Sequence, residues 1–182
     1  AHAMKAAAND LPEMYRSVNV DGTKQLAEQA AEAQVKRLIF LSSIKVNGDS
    51  TRNYQIDKFL NDQKKIVFTN KDLANPKDLY AKSKLEAEKV LWEISSRTGL
   101  EVVVVRLPLV YGYGAKGNLA RLIKLVKSGI PFPFSIVNNQ RSMIGIDNLV
   151  DLLNHCVDNP NASGQIFLAS DDKDLSTPEL IK

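Results

Sequence analysis

The sequence is poor in the residues and runs that mark disulfide-rich, exported or membrane proteins. Its 182 residues include a single cysteine, Cys156, which excludes an internal disulfide and is typical of a reducing compartment. No apolar run approaches the roughly 20 residues that cross a bilayer. The first residues lack the basic and apolar segments of a signal peptide. We therefore expect a cytoplasmic protein with no membrane partner.

The chain also has little excess of one sign of charge over the other. The chain has 24 basic and 21 acidic residues, and a net charge of +3 is too small to predict a nucleic-acid partner. Its two histidines, His2 and His155, have no cysteine or carboxylate at ligand spacing, so no metal site is predicted. Apolar residues make up 44% and charged residues 25%, as in an ordinary globular protein.

Alternating helical and strand patterns predict an α/β fold. Apolar residues at helical spacing predict helices over 11–34, 78–97, 118–128 and 148–158. Apolar runs predict strands over 38–41, 100–106 and 165–169, and we expect the first two to be buried on both faces. The links are short, apart from a polar loop over 48–77. This order predicts a parallel sheet flanked by helices.

The most informative motif is Tyr80-Ala81-Lys82-Ser83-Lys84 in the second long helix. Residues four apart lie on one helix face, so the Lys84 ammonium can lie beside the Tyr80 phenol. A positive neighbour lowers the pKa of a tyrosine from its usual value of about 10. Ser42 and Ser43 follow the first predicted strand, at the sheet edge where α/β folds bind ligands. These residues predict proton transfer in carbonyl–alcohol chemistry.

This motif is one of five stretches that follow one another in a characteristic order. The others cover 18–23 (with Asn-Val-Asp-Gly-Thr), 40–48 (with the two serines), 106–112 (Arg-Leu-Pro-Leu-Val-Tyr-Gly) and 141–149. Together they resemble the extended short-chain dehydrogenase/reductase superfamily, within its NAD-dependent nucleotide-sugar epimerases and dehydratases. The resemblance covers nearly the whole chain and implies a Rossmann-like parallel sheet with part of a smaller substrate-binding domain.

The resemblance also implies roles for individual residues. Tyr80 would be the acid/base, Lys84 would lower its pKa and bind the nicotinamide ribose, and Ser43 would hold the reacting sugar oxygen. The cofactor would be NAD, with NADP as the alternative. The residues that would contact it are Asn19, Ser42, Tyr80, Lys84 and Pro108. The residues that would contact the nucleotide-sugar substrate are Ser43, Asn118 and Arg141, although Arg141 has an alternative as a surface charge.

The resemblance further implies a homodimer packed through the helices that begin near Asn19 and Tyr80. The same resemblance implies a division of the chain into two parts. The NAD-binding part is expected over 1–111 and 146–170, and the substrate-binding part over 112–145 and 171–182. The family's first glycine-rich turn has no counterpart in this chain, and we interpret the sequence as a piece of a longer protein. We expect these 182 residues alone to bind the cofactor weakly or not at all.

Several positions depart from the family pattern. Asn47 replaces a tyrosine, Gly145 a histidine and Asn148 an aspartate, but none of these is the predicted proton carrier. Ile44-Lys45 occupies the place where sugar 4,6-dehydratases carry two carboxylates. Without those carboxylates the acid/base pair that eliminates water is missing. This favours an epimerase or a 4-keto-sugar reductase over a dehydratase.

Two further alternatives remain open at this point. A non-catalytic dinucleotide-binding protein of the same fold is possible, although an intact Tyr/Lys/Ser set argues against it. The segment 112–117 reads Gly-x-Gly-x-x-Gly and could be a second dinucleotide motif. No strand ending in an acidic residue follows about 20 residues later, so a flexible turn is favoured.

Overall fold

The computed structural model describes residues 11–51, 67–114, 124, 126–128 and 139–180. The chain divides into two compact units, one of residues 1–106 with 159–168 and the other of residues 107–158 with 169–182. The assignment of one part to the cofactor and the other to the substrate stays a prediction. None of the described helices is long and apolar enough to span a membrane.

The first unit is a sheet packed against long helices. One continuous helical segment consists of α1 (Leu11–Tyr15), a π-helical turn (Arg16–Asp21) and α2 (Gly22–Glu32). Strand β1 (Arg37–Ser43) leads into a 3-10 turn (Ile44–Val46). After it come α3 (Leu79–Thr98) and β2 (Glu101–Leu107). These bounds confirm the predicted helices over 11–34 and 78–97.

The sheet of the first unit has the order β1-β2-β5, where β5 is Ile166–Leu168. Strands β2 and β5 are parallel, with Val104 opposite Ile166. The core lies between this sheet and helices α2 and α3, because aliphatic side chains from all of them pack together and leave water. Its buried members are Ala27, Leu91, Ile94, Leu100, Val102 and Val104.

The two strands that are predicted to be buried on both faces, β1 and β2, differ in their burial. The four valines of β2, at positions 102–105, are fully buried, as the sequence predicts. For β1 the prediction is wrong, because residues 38–40 are only half-buried and Leu41 is 40% exposed. Of the described strands, β1 stands at one end of the order and has a neighbour on one side only.

Local signals set the ends of α3. The Asp78 side chain accepts a hydrogen bond from the Ala81 amide at 2.7 Å, which caps the first turn. Gly99 ends the helix with a φ of 77°, a left-handed conformation that glycine adopts without strain. The motif from Tyr80 to Lys84, predicted to be catalytic, therefore begins at the second residue of a well-capped helix.

The second unit holds a small parallel pair of strands, β3 (Leu109–Tyr111) and β4 (Met143–Gly145), which the sequence did not predict. Helix α4 (Ile146–Asp158) begins two residues before its predicted start. Helix α5 (Thr177–Leu180) begins with a capping box, in which the Ser176 amide donates to the Glu179 carboxylate at 2.8 Å. The predicted helix over 118–128 lies mostly outside the described residues.

Candidate active site

Tyr80 lies in the first turn of α3, where the cap of the helix holds it in place. Its ring packs edge-on against the ring of Tyr15, with 5.9 Å between centroids and an interplanar angle of 61°. Tyr15 is the last residue of α1, so the long helix before the sheet covers one side of the phenol. The phenol is therefore held between two helices of the same unit.

Ser43 is the last residue of β1 and lies close to Tyr80. The serine side chain is buried, and its Oγ accepts a hydrogen bond from the Lys45 amide at 3.3 Å. A side-chain hydrogen bond from Ser43 lowers the pKa of Tyr80, although burial acts in the opposite direction and more strongly. The structure thus brings together the serine hydroxyl and the phenol that the sequence predicted as partners.

Lys84 lies one helical turn beyond Tyr80 and reaches the end of the same strand. Its Nζ donates a hydrogen bond to the Leu41 carbonyl oxygen at 2.9 Å and lies 4.5 Å from the centroid of the Phe40 ring. Burial lowers the pKa of Lys84, and the negative charge of Glu88 partly opposes this. The ammonium is therefore held at the carboxyl end of β1 as a hydrogen-bond donor.

The predicted direction of the Tyr80 pKa is wrong for this structure. Burial raises the pKa above its ordinary value, and the neighbouring Tyr15 and Asp78 raise it further. The Lys45 cation acts against this and lowers the pKa of Tyr80. The surroundings of Tyr80 in this structure therefore favour the protonated phenol over the phenolate.

Ser42 points to a different set of partners from Ser43. Its hydroxyl donates to Oε1 of Glu88, a carboxylate that is also buried. Arg106 of β2 binds both oxygens of Glu88, at 3.1 and 2.7 Å, and donates to the Asn47 side chain at 2.8 Å. Asn47 in turn donates to the Thr69 carbonyl at 2.9 Å. This buried network joins β1, β2 and α3 directly beneath the candidate site.

Asn19, predicted as a cofactor contact, lies within the π-helical turn. Its side chain donates to Ser83 Oγ at 2.9 Å, and Ser83 donates to the Tyr80 carbonyl oxygen at 2.8 Å. Single π-helical turns within α-helices are rare and are frequently found at functional sites. The turn places Asn19 against the Ser83 side chain, so Asn19 supports the first turns of the helix that carries Tyr80 through Ser83.

The remaining predicted residues belong to the second unit or lie outside the described residues. Pro108 stands between β2 and β3, where it is half-buried. The Arg141 side chain is exposed, and its backbone exchanges two hydrogen bonds with Leu175. Asn118 lies outside the described residues. The roles of these three residues stay predictions.

One departure from the family pattern, Asn148, has a structural explanation in the second unit. The Asp171 carboxylate accepts hydrogen bonds from the Tyr111 hydroxyl at 2.7 Å, the Gly145 amide at 2.9 Å and the Asn148 side chain at 2.8 Å. The hydrogen bond from Asn148 and that from Tyr111 lower the pKa of Asp171. Asn148 therefore donates at a position where an aspartate could not.

Packing explains why the glycine-rich segment over 112–117 begins with a glycine. Gly112 has a φ of 150°, and a Cβ placed there would lie 2.5 Å from Ile146 Cγ2. Any larger residue would clash, so the glycine is required by the contact with α4. Residues 115–117 of the segment lie outside the described residues.

Sequence reasoning missed four residues that contact or support the site, namely Lys45, Asp78, Glu88 and Arg106. Two of them had a readable signal. Glu88 stands four residues beyond Lys84, on the same helix face, and Asp78 occupies the cap position of the predicted helix. No sequence signal connects Lys45 to Asp78 or Arg106 to Glu88, because these contacts are tertiary.

Comparison with known proteins assigns this arrangement to a family. The sequence model of the NAD dependent epimerase/dehydratase family matches residues 1–169. A curated UDP-glucose 4-epimerase of Vibrio cholerae is 44% identical over 186 aligned positions, covering 100% of this chain and 52% of that protein. An N-acetyl-alpha-D-glucosaminyl-diphospho-ditrans,octacis-undecaprenol 4-epimerase of Escherichia coli O157:H7 is 28% identical, covering 92% of this chain and 47% of that protein. The chain thus spans about half the length of these relatives.

Solved structures resemble the chain in fold. A UDP-glucose 4-epimerase from Thermotoga maritima, crystallised with UDP-glucose, has a TM-score of 0.75 at 20% identity, covering 100% of this chain and 57% of that one. A dTDP-glucose 4,6-dehydratase from Streptomyces venezuelae, with NAD bound, has a TM-score of 0.76 at 19% identity, covering 100% of this chain and 53% of that one. Together with the parallel sheet, these similarities confirm the predicted Rossmann-like fold.

Proposed function

Because this chain belongs to the NAD dependent epimerase/dehydratase family, we propose that its protein is an NAD-dependent nucleotide-sugar 4-epimerase. We propose a sugar of the UDP-glucose or UDP-N-acetylglucosamine type as the substrate. The first of these is the substrate named for the Vibrio cholerae relative at 44% identity. The observation that carries the proposal is the contact between Ser43 and Tyr80 at the carboxyl end of a strand.

The residues present fit the nicotinamide end of a dinucleotide. The Lys84 ammonium and the Tyr80 hydroxyl lie one helical turn apart, and both are donors of the kind that bind a ribose diol. Lys84 donates one described hydrogen bond, to the Leu41 carbonyl, and lies over the Phe40 ring, so it has further N–H groups that could bind a ligand. NAD, when bound, would supply a reversible hydride acceptor for the sugar carbon.

The chain's own residues would handle the proton. Tyr80 would take the proton from the C4 hydroxyl of the sugar as that carbon is oxidised, and would return it when the ketone is reduced on its other face. Ser43 would donate a hydrogen bond to the same oxygen, which stabilises the negative charge that develops on it. The reaction must run in both directions, and this suits a C4 oxygen that contacts two hydroxyl groups of different acidity, those of Tyr80 and Ser43.

A 4-keto-sugar reductase is the second candidate, and one observation favours it. Burial raises the pKa of Tyr80 and so favours the protonated phenol, the form that would donate a proton to a ketone. A reductase would use NADH or NADPH and would need Tyr80 only as a donor. The epimerase is preferred because the 44% identical relative carries that name.

We also propose that the protein is a homodimer and that it acts in the cytoplasm. The apolar side chains of Val18 and Leu26, 42% and 60% exposed, lie two helical turns apart on the segment from α1 to α2. Apolar groups on one exposed helix face favour association with a second apolar surface.

The decisive experiment compares the intact wild-type protein with the Tyr80→Phe variant. UDP-glucose, UDP-N-acetylglucosamine and their dTDP and GDP counterparts are incubated with each protein, and epimers are followed by NMR. We expect Tyr80→Phe to lose turnover by about 100-fold to 10,000-fold, the usual contribution of a general acid/base. NAD affinity should stay within a few-fold, because the ring and its packing remain.

Tyr15→Phe is the matched control, since it removes a hydroxyl from the ring that packs against Tyr80. It should keep most of its turnover. Epimer formation by Tyr80→Phe within a few-fold of wild type would exclude the proposed role. Oxidation of NADH by the protein when a 4-keto sugar is supplied, without formation of any epimer, would support the reductase instead.

A further inference from the structure

An ion pair outside the predicted site joins the two elements that carry Ser43 and Tyr80. Lys45 Nζ lies 2.5 Å from Asp78 Oδ2, and the two side chains are 48% and 41% exposed. Lys45 belongs to the 3-10 turn that follows β1, and Asp78 is the cap residue of α3. Sequence separation between the partners is 33 residues, so only the tertiary fold brings them together.

Each partner of this pair has a second contact that leads into the site. The backbone amide of Lys45 donates to Ser43 Oγ at 3.3 Å. The other oxygen of Asp78 accepts from the Ala81 amide at 2.7 Å. A continuous chain of contacts therefore runs from the Ser43 hydroxyl through Lys45 and Asp78 to the first turn of the helix that carries Tyr80.

We propose that the Lys45–Asp78 ion pair is a positioning clamp of the candidate site. It holds the Ser43 hydroxyl beside the Tyr80 phenol and places two opposite charges next to that phenol. The inference rests on the proposed function where it concerns turnover, but the arrangement of charges around Tyr80 can be tested without it. Lys45 and Asp78 are positioning residues here, because neither is required to touch the substrate.

The charges around the phenol support this inference. Burial is the largest effect on the pKa of Tyr80 and raises it, Tyr15 and Asp78 also raise it, and Lys45 and the Ser43 hydroxyl lower it. Asp49 and the Tyr80 phenol also act on Lys45, and like Asp78 they raise its pKa. Lys84, on the same helix as Tyr80, donates to the Leu41 carbonyl.

Removal of Lys45 and removal of the Asp78 charge should therefore shift the pKa of Tyr80 in opposite directions. Loss of Lys45 leaves Asp78 unbalanced and raises the pKa of Tyr80, whereas loss of the Asp78 charge leaves Lys45 unbalanced and lowers it. Exposed ion pairs contribute little to stability, so both variants should fold. Asp78→Ser keeps a cap residue at the helix start while it removes the charge.

The first test is a titration that needs no activity. Tyrosine labelled with ¹³C at the ring carbon bearing the hydroxyl is incorporated into the intact protein, and Tyr80→Phe assigns the Tyr80 signal in the NMR spectrum. We expect the midpoint to rise by roughly half a unit or more in Lys45→Met and to fall by a similar amount in Asp78→Ser. Lys45→Arg should titrate as wild type does.

Glu86→Gln is the matched control for removal of a charge. Glu86 forms another exposed ion pair on the same helix, with Arg16 at 2.9 Å, but has no contact with Ser43. Its loss should leave the Tyr80 midpoint where it is in wild type. Midpoints that do not move in Lys45→Met and Asp78→Ser, or that move in the same direction, would overturn the inference.

The second test is the pH dependence of turnover in the intact protein. Lys45→Met should lower kcat by about tenfold with little change in KM, because Ser43 is held less well, and the pH profile should shift to higher pH. Asp78→Ser should shift the profile to lower pH. Lys45→Arg should have the kcat and the pH profile of wild type. Opposite NMR shifts in a protein without epimerase activity would contradict the proposed function and leave the clamp supported. An epimerase whose pH profile is the same in all variants would contradict the clamp.

Discussion

At the scale of the residue, the environment of Tyr80 determines what the phenol can do. Spacing in the sequence places a lysine one turn beyond the tyrosine, and from this a lowered pKa was predicted. In the structure, Lys84 binds the Leu41 carbonyl, and burial raises the pKa of Tyr80 instead. A four-residue spacing brings two side chains to one face of a helix, but it does not choose the hydrogen-bond partner of a long and flexible lysine.

Lys84→Met is predicted to act mainly on cofactor binding. The variant removes an ammonium that is held at the carboxyl end of β1, where a ribose hydroxyl could accept from it. We expect the affinity for NAD to fall by about tenfold to 100-fold, as for loss of a hydrogen bond to a charged group. The shift of the pH profile to higher pH should be smaller than that of Lys45→Met. Isothermal titration calorimetry and pH–rate profiles measure the two effects.

Lys82→Met is the control for this substitution, since Lys82 is an exposed lysine in the same turn of α3. It should bind NAD as wild type does. An equal loss of affinity in both variants would mean that only the positive charge of the helix surface matters. Unchanged affinity in Lys84→Met would remove Lys84 from the cofactor site.

At the scale of the element, α3 is the part of the fold that organises the site. Tyr80, Lys84 and Glu88 follow one another at intervals of four, so they form one stripe along the helix. This stripe meets the end of β1 at Lys84 and reaches β2 at Glu88, which binds Arg106. A single helix face thereby supplies the proposed acid/base, the ammonium and a buried carboxylate.

The helical segment from α1 to α2 carries the proposed dimer contact. Substitution Leu26→Glu would place a charge on its exposed apolar face, and a charge cannot be buried at an interface without a partner. We therefore expect the intact protein to change from dimer to monomer, measured by sedimentation velocity. Leu73→Glu changes a leucine that is 88% exposed outside the helices and should leave the dimer intact. A wild-type protein that sediments as a monomer would contradict the proposal.

At the scale of the whole molecule, the buried ion pair between Glu88 and Arg106 is expected to matter for stability. Their side chains are 2% and 5% exposed and lie 2.7 Å apart. Glu88→Gln would leave the arginine charge buried without its partner, which costs about 3–5 kcal/mol of unfolding free energy. Chemical denaturation followed by circular dichroism measures this loss.

The ion pair between Arg97 and Glu28 provides the control, because it also joins two elements of the same unit but is 59% and 35% exposed. Glu28→Gln should cost no more than about 1 kcal/mol, as for other surface pairs. Equal effects of the two substitutions would show that burial does not distinguish these pairs.

The sequence by itself determined the elements and the family. Apolar periodicity is a local signal, and it predicted the helices over 11–34 and 78–97 that the structure shows. The order of the motifs along the chain was enough to identify the NAD dependent epimerase/dehydratase family. Such signals can be read because the residues that generate them are close in the sequence.

Only the tertiary structure decided which groups surround Tyr80. The partners Lys45 and Asp78 are 33 residues apart, Arg106 and Asn47 are 59 apart, and both contacts depend on how the strand ends meet α3. The pKa of the phenol depends on its burial and on charges brought close by folding, and neither follows from spacing along the chain. The parallel pair of β3 and β4 was missed for the same reason, since three-residue strands have too few residues to show a pattern.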